Sequence, residues 1–338
     1  MPIQLAVNEP QDLDLSHGLH TQFVTTTSTS HRESGVTRMA FYSDSSVDLT
    51  AGISTAPAFA LAAPMSEGWV HTYMSHSNDI IYRDSDVSFA LMDTNGDFLF
   101  GIRRSPVDIN RMGFIWHGGV AEHISDLSGN YTVDIYFRLN AVDGFIYVFQ
   151  NETLMWWFEG DTATGRTNAA YLAMARSGTN TGSSYNNRYS QIIVADENTL
   201  TAKLYNAPVT GNGTEQAWTG TYIDVDETGL NDIDFVASDT ALQEESFTLT
   251  VPGSFPENHS IAGIFLTYRS QQEISSPVTQ VQPYLRIGGT QYNVMSAVTP
   301  PIGPAVTYNE LLTTNPADAA PFELADLSGL ELGFRSLA

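Results

Sequence analysis

The chain has 338 residues, and its 14 basic against 38 acidic side chains leave a formal net charge of −24. A chain this acidic is repelled by phosphate backbones and by anionic lipid surfaces, so nucleic-acid binding and membrane insertion are not expected. It contains no cysteine, so neither disulfides nor thiolate metal sites hold the fold, and no apolar run approaches the ~20 residues of a membrane helix.

Residues 1–35 read as an extended arm: "TQFVTTTSTSHRESG" is polar, rich in Ser and Thr and without helical period. The opening "MPIQLAVNEP" has neither the basic nor the apolar region of a secretory leader, so no such leader is expected. From 36 to 204 the pattern is one of short strands. "YTVDIYFRL" alternates cleanly, with Tyr131, Val133, Ile135, Phe137 and Leu139 facing one way and Thr132, Asp134, Tyr136 and Arg138 the other. "NAVDG" then makes a turn, and "FIYVFQ", "NET" and "LMWWFEG" follow. "VSFALMDTNGDFLFGIRR" predicts a second hairpin with a type I′ turn at Asn95-Gly96. A boundary is expected near "YNAPVTGNGTEQAW" (205–218), and a second strand series occupies 205–338. There, "TPPIGPAVTYNELLTTNPADAAP" reads as a long connection, because proline lacks the donor that a central strand needs. "FELADLSG" predicts a short helical turn stopped by Gly329. The closing "LELGF" places Leu330, Leu332 and Phe334 at period two around Glu331. Termini ordinarily fray, so a strand here is expected to be tied into a sheet. The fold class is therefore all-β: two β-sandwich (jelly-roll) domains, 36–204 and 205–338, behind the arm.

Two strands are greasy on both faces. In "FIYVFQ" Phe145, Tyr147 and Phe149 oppose Ile146 and Val148, and in "LMWWF" Trp156 and Trp157 must point opposite ways. A sandwich strand buries only one face, so a cover is expected for the other: the same chain, a sister subunit or a stacked sugar. Catalytic signatures are missing. A sandwich glycosidase needs a carboxylate pair about 5–10 Å apart, and "DVDE" (224–227) and "DIDF" (232–235) do not supply the E-x-D-x-x-E strand pattern. There is no G-x-S-x-G and no H-E-x-x-H. His71 and His76 lie five apart, which suits no pairing, and His117 adjoins Gly118-Gly119 in an expected turn. "DTNGD" (93–97) departs from the calcium-loop spacing. No catalytic residue, cofactor or metal is expected.

With these residues in view, the region 36–198, and above all "YTVDIYFRLNAVDGFIYVFQNETLMWWFEG", resembles the concanavalin A-like or laminin G-like jelly roll. "GLNDIDFVASDTALQEESFTLTV", "SIAGIFLTYRSQQ" and "PADAAPFELADLSGLELGF" resemble a β module of tailed-bacteriophage virion structural proteins, with Phe322 where that module usually has Trp. The resemblance implies a non-enzymatic virion component assembled in a host cytoplasm. It would be a tail fibre or appendage or a capsid decoration, partnered by other virion proteins and by its own copies, with a trimer favoured. The alternative is a carbohydrate-binding, lectin-like protein that recognises a host surface glycan. Candidate glycan or interface contacts are Trp116, Trp156, Trp157 and Tyr185, the last on the polar loop "SGTNTGSSYNNRY" (177–189).

Overall fold

The structure, a computed structural model, describes residues 3–7, 22–27, 37–42, 58–75, 87–104, 111–126, 130–166, 168–174, 188–226, 233–255 and 259–338. The chain divides into two compact units, Met1–Leu204 and Tyr205–Ala338. Among the described residues every long element is a strand, and helix is confined to short 3-10 turns.

In the first unit the strands run β1 (Ile3–Val7), β2 (Gln22–Thr27), β3 (Thr37–Tyr42), β4 (Ala58–Met65), β5 (Glu67–Ser75), β6 (Val87–Asp93), β7 (Phe98–Arg104), β8 (Arg111–Trp116), β9 (Gly119–Asp126), β10 (Asn130–Arg138), β11 (Gly144–Gln150), β12 (Thr153–Gly160), β13 (Ala169–Met174) and β14 (Arg188–Ala195). They form two antiparallel sheets. The larger has the order β12-β11-β10-β5-β14-β3-β2, with β1 also paired to β14; the smaller has the order β4-β13-β6-β7-β8-β9. Within the expected arm, β1 and β2 are extended and pair with β14 and β3; the other residues of 1–35 lie outside the described residues.

The alternation of β10 becomes the core. Tyr131, Val133, Ile135 and Phe137 are at most 1% exposed and pack with Ile146 and Val148 of β11 and with Phe89, Leu91, Phe100, Ile102 and Phe114 of the smaller sheet. Strand β6 is buried on both sides, since Ala90 and Met92 belong to a second cluster with Val87, Phe98 and Ala173. The hairpin at 93–97 departs from the expected type I′ geometry. Only Gly96 takes a positive φ (81°), while Asp93 Oδ1 accepts the backbone N–H groups of Asn95 (2.8 Å) and Asp97 (2.9 Å). The carboxylate holds the turn in place of a left-handed Asn95. The true type I′ turn lies between β11 and β12, where Asn151 and Glu152 both have positive φ (46° and 67°) and Asn151 Oδ1 accepts the Thr132 N–H.

The second unit adds β15 (Val209–Gln216), β16 (Glu244–Leu249), β17 (Ile264–Ser270), β18 (Gln280–Ile287), β19 (Thr290–Asn293), β20 (Val306–Leu312) and β21 (Glu331–Leu337). Five of these form a sheet ordered β15-β16-β21-β18-β19, so the closing strand sits in its middle, hydrogen-bonded on both edges. A 3-10 turn at Leu324–Leu327 precedes it and ends at Gly329, whose φ of +70° suits glycine. Phe322, Leu327 and Leu330 cap the core formed by Leu266, Leu285 and Ile287. One expectation fails: the proline-rich segment 299–321 is not merely a connection, because it contains β20, paired along its whole length with β17. Its prolines (300, 301, 304, 316 and 321) flank that strand without entering it, so no ladder hydrogen bond is lost.

Candidate functional site

The outer face of the larger sheet in the first unit carries the polar alternates of the core strands. Strand pairing sets Glu67, Trp69 and His71 of β5 opposite Arg138, Tyr136 and Asp134 of β10, and these opposite Phe145, Tyr147 and Phe149 of β11. On edge strand β12, Trp157 lies opposite Tyr147 and Glu159 opposite Phe145.

The rings of this face pack on one another. Trp69 and Tyr136 are stacked with centroids 4.5 Å apart and planes 8° apart, and Phe149 lies 5.7 Å from Trp69. Tyr136 continues to Tyr147 at 6.1 Å and 25°, and Phe145 fills in at 4.6 Å from Tyr136 and 5.2 Å from Tyr147. Rings stacked in this way use up their faces on each other. They leave Phe145, Tyr147 and Phe149 half-buried, and the two-sided strand "FIYVFQ" is covered from within its own chain. Trp157, beyond Tyr147 on the edge strand, is 61% exposed.

Among the described residues, charge on this face is arranged around Arg138. Arg138 donates from Nε to Glu67 Oε2 (2.8 Å) and from a terminal nitrogen to Oε1 (3.3 Å), reaches Asp143 at 3.4 Å and lies 4.9 Å above the Phe145 ring. The Tyr136 hydroxyl donates to Glu67 Oε1 (2.7 Å). The Arg138 bond holds the Glu67 carboxyl below its usual range, against the opposing effect of burial; burial and the Glu67 bond push Tyr136 up to about 12. The Tyr147 hydroxyl donates to Glu159 Oε1 (2.5 Å), and this bond raises its pKa. Beside Trp157 stand a carboxylate and a phenol already oriented by one another.

Further along the same face, His71 and Asp134 meet under cover. Nδ1 of His71 lies 2.7 Å from Asp134 Oδ1, the Thr199 hydroxyl donates to that same oxygen (3.0 Å), and His71 and Asp134 are 1% and 0% exposed. Among the described residues, His71 Nε2 and Asp134 Oδ2 have no hydrogen-bond partner. The dyad has the form of a proton-transfer pair, but both side chains are shut away from solvent. No spacing rule finds it, because the two residues are 63 apart and meet only through strand register.

The candidate contacts separate as follows. Trp157 is exposed. Trp156 packs against the core beside Phe114 (5.0 Å). Trp116 is half-buried, 4.4 Å from Phe158 and lying over Gly118, at the turn where His117 bonds Leu99 O. Tyr185 and most of its loop (175–187) lie outside the described residues. Among the described residues no group of three His, Asp or Glu is placed to hold a metal ion, and no helix is long and apolar enough to cross a membrane.

No protein-family model and no curated protein matches the sequence. Among solved structures the chain is similar to an endo-β-1,4-glucuronan lyase from the fungus Trichoderma reesei (TM-score 0.44, 8% identity, 58% of this chain and 96% of that one). It is also similar to the alginate lyase Aly36B, solved as a variant with an alginate tetrasaccharide (0.36, 13%, 57% and 96%), and to a Bacillus licheniformis β-glucanase (0.33, 12%, 57% and 99%). The first unit is an antiparallel two-sheet sandwich of the jelly-roll class. The expectation of a non-enzymatic virion component is corrected. The similar structures bear the names of polysaccharide lyases and a glucanase, not of virion components. The expectation that the chain is not an enzyme falls with it.

Proposed function

We propose that the jelly roll binds carbohydrate on its outer face, at the β11–β12 hairpin. The observation that carries this reading is Trp157. Every other ring of the ladder is spent on a neighbour, while this one stands in solvent at the end of the row, with Glu159 and the Tyr147 hydroxyl beside it. The C–H face of a pyranose is apolar and weakly positive, and an indole offers a large apolar surface with a negative face. The carboxylate and phenol add directional acceptors for sugar hydroxyls. An exposed aromatic flanked by a few fixed polar groups is how small-molecule sites obtain both affinity and orientation.

The test is affinity electrophoresis of the full chain in gels containing polysaccharide. Retardation by at least one polysaccharide is expected, falling at least tenfold in apparent affinity for Trp157→Ala and several-fold for Glu159→Gln. Equal retardation of wild type and Trp157→Ala would refute this location, and no retardation across a broad panel would refute the function.

A further inference from the structure

We infer that the glycan seated at Trp157 is uncharged, and that polyuronates are excluded by the charge of the face. This rests on the carbohydrate-binding reading and adds the substrate class.

Recognition of a carboxylate-bearing sugar needs a cation with donors free to meet it, most effectively an arginine fork. The hairpin offers none. From Leu139 to Asp161 the sequence contains no Arg, Lys or His, while Asp143, Glu152, Glu159 and Asp161 are all acidic. Among the described residues, Arg138 is the cation of the outer face beside the ladder, and most of its guanidinium is engaged. Glu67 engages it through two nitrogens, Asp143 takes a third approach at 3.4 Å, and its flat side lies on Phe145. Glu159, two residues along the strand from Trp157, presents an exposed carboxylate that accepts the Tyr147 hydroxyl. Among the described residues, an incoming uronate would therefore meet the Glu159 carboxylate with no cation paired to it, within a chain whose net charge of −24 repels polyanions at longer range as well. A neutral pyranose faces no such repulsion. Its hydroxyls can donate to Glu159 Oε2 and to the Tyr147 oxygen while its ring lies on Trp157.

The experiment compares the full chain in affinity gels containing a neutral β-glucan, a neutral mannan, alginate or chitosan, each at low and at 0.5 M salt. The expected result is retardation by a neutral polymer, insensitive to salt and lost in Trp157→Ala, with at least tenfold weaker retardation by alginate. Glu67→Gln supplies a second, gain-of-function arm: with its main carboxylate partner removed, Arg138 becomes available, and alginate binding is expected to rise at least fivefold. Tight, Trp157-dependent alginate binding in the wild type would overturn the charge assignment and leave the carbohydrate site standing. Retardation by chitosan alone, abolished by salt, would also overturn it, since attraction by charge would then be the whole effect. Absence of retardation by all four polymers would remove the underlying reading.

Discussion

Neighbouring side chains on β12 have opposite fates, and this gives the sharpest pair of variants. The Trp156 indole packs into the core against Phe114, whereas the Trp157 indole is 61% exposed. Trp156→Ala is expected to cost about 3 kcal/mol in chemical denaturation, as for other aromatic truncations in a packed interior. Trp157→Ala should stay within about 0.5 kcal/mol of wild type. Similar losses in both would mean that the edge ring is part of the packing and not a binding surface. A second position is as decisive in the other unit. Tyr284 crosses β21 over Gly333, so close that an alanine Cβ there would lie 2.2 Å from the ring. Gly333→Ala is expected to destabilise by about 2 kcal/mol through overpacking. The cost should shrink in a Tyr284→Leu background, which a double-mutant cycle measures; an unchanged cost would point to the backbone and not to the ring.

Strands were legible where alternation was strict. The inward set of β10, the turn ending at Gly329 and the terminal strand follow from period and turn chemistry, and the structure bears each out. Strand β20 was hidden because its prolines lie just outside it, where a reading by composition merges flank and strand. Half of the candidate site was legible, since two adjacent tryptophans in a strand must part company. The rest was not: the ring ladder, the Glu67–Arg138 pair and the His71–Asp134 dyad join residues far apart in sequence, and register alone brings them together. The same strand logic gives an acid-pH prediction for β21. Burial works to raise the Glu331 pKa, but hydrogen bonds from the Thr214 N–H and hydroxyl and from Ser246, together with Arg286, bring it below the usual carboxylate value. A lowered folded-state pKa contributes stability above the unfolded value of about 4.5 and loses it as pH falls through the folded one. Glu331→Gln should therefore cost about 1–3 kcal/mol at pH 7 and flatten the acid limb of the stability profile. A profile that stays as steep would assign acid unfolding to other carboxylates.

For the molecule as a whole, tyrosines in both units are expected to weaken the fold at alkaline pH. Burial pushes Tyr136 in the first unit and Tyr284 in the second up to about 12, with the Glu67 bond adding to the shift at Tyr136. Because these folded-state values are raised, their contribution is complete below an unfolded value of about 10 and is lost as pH rises from there to about 12. Tyrosinate absorbance and loss of far-ultraviolet circular dichroism should rise together in that window, and Tyr136→Phe should blunt the change for the first unit; loss of structure below pH 9 would refute the assignment. The placement of β21 has a consequence for biogenesis. Ser246 on β16 must wait for Glu331, 85 residues downstream, before their bond can form. During translation β16 therefore emerges with one ladder edge vacant, and pairing over such a separation is slow. The nascent second unit exposes an unpaired strand edge for that interval, and mutations that delay arrival of β21 should show as aggregation in the cell before they show as lost stability in purified protein.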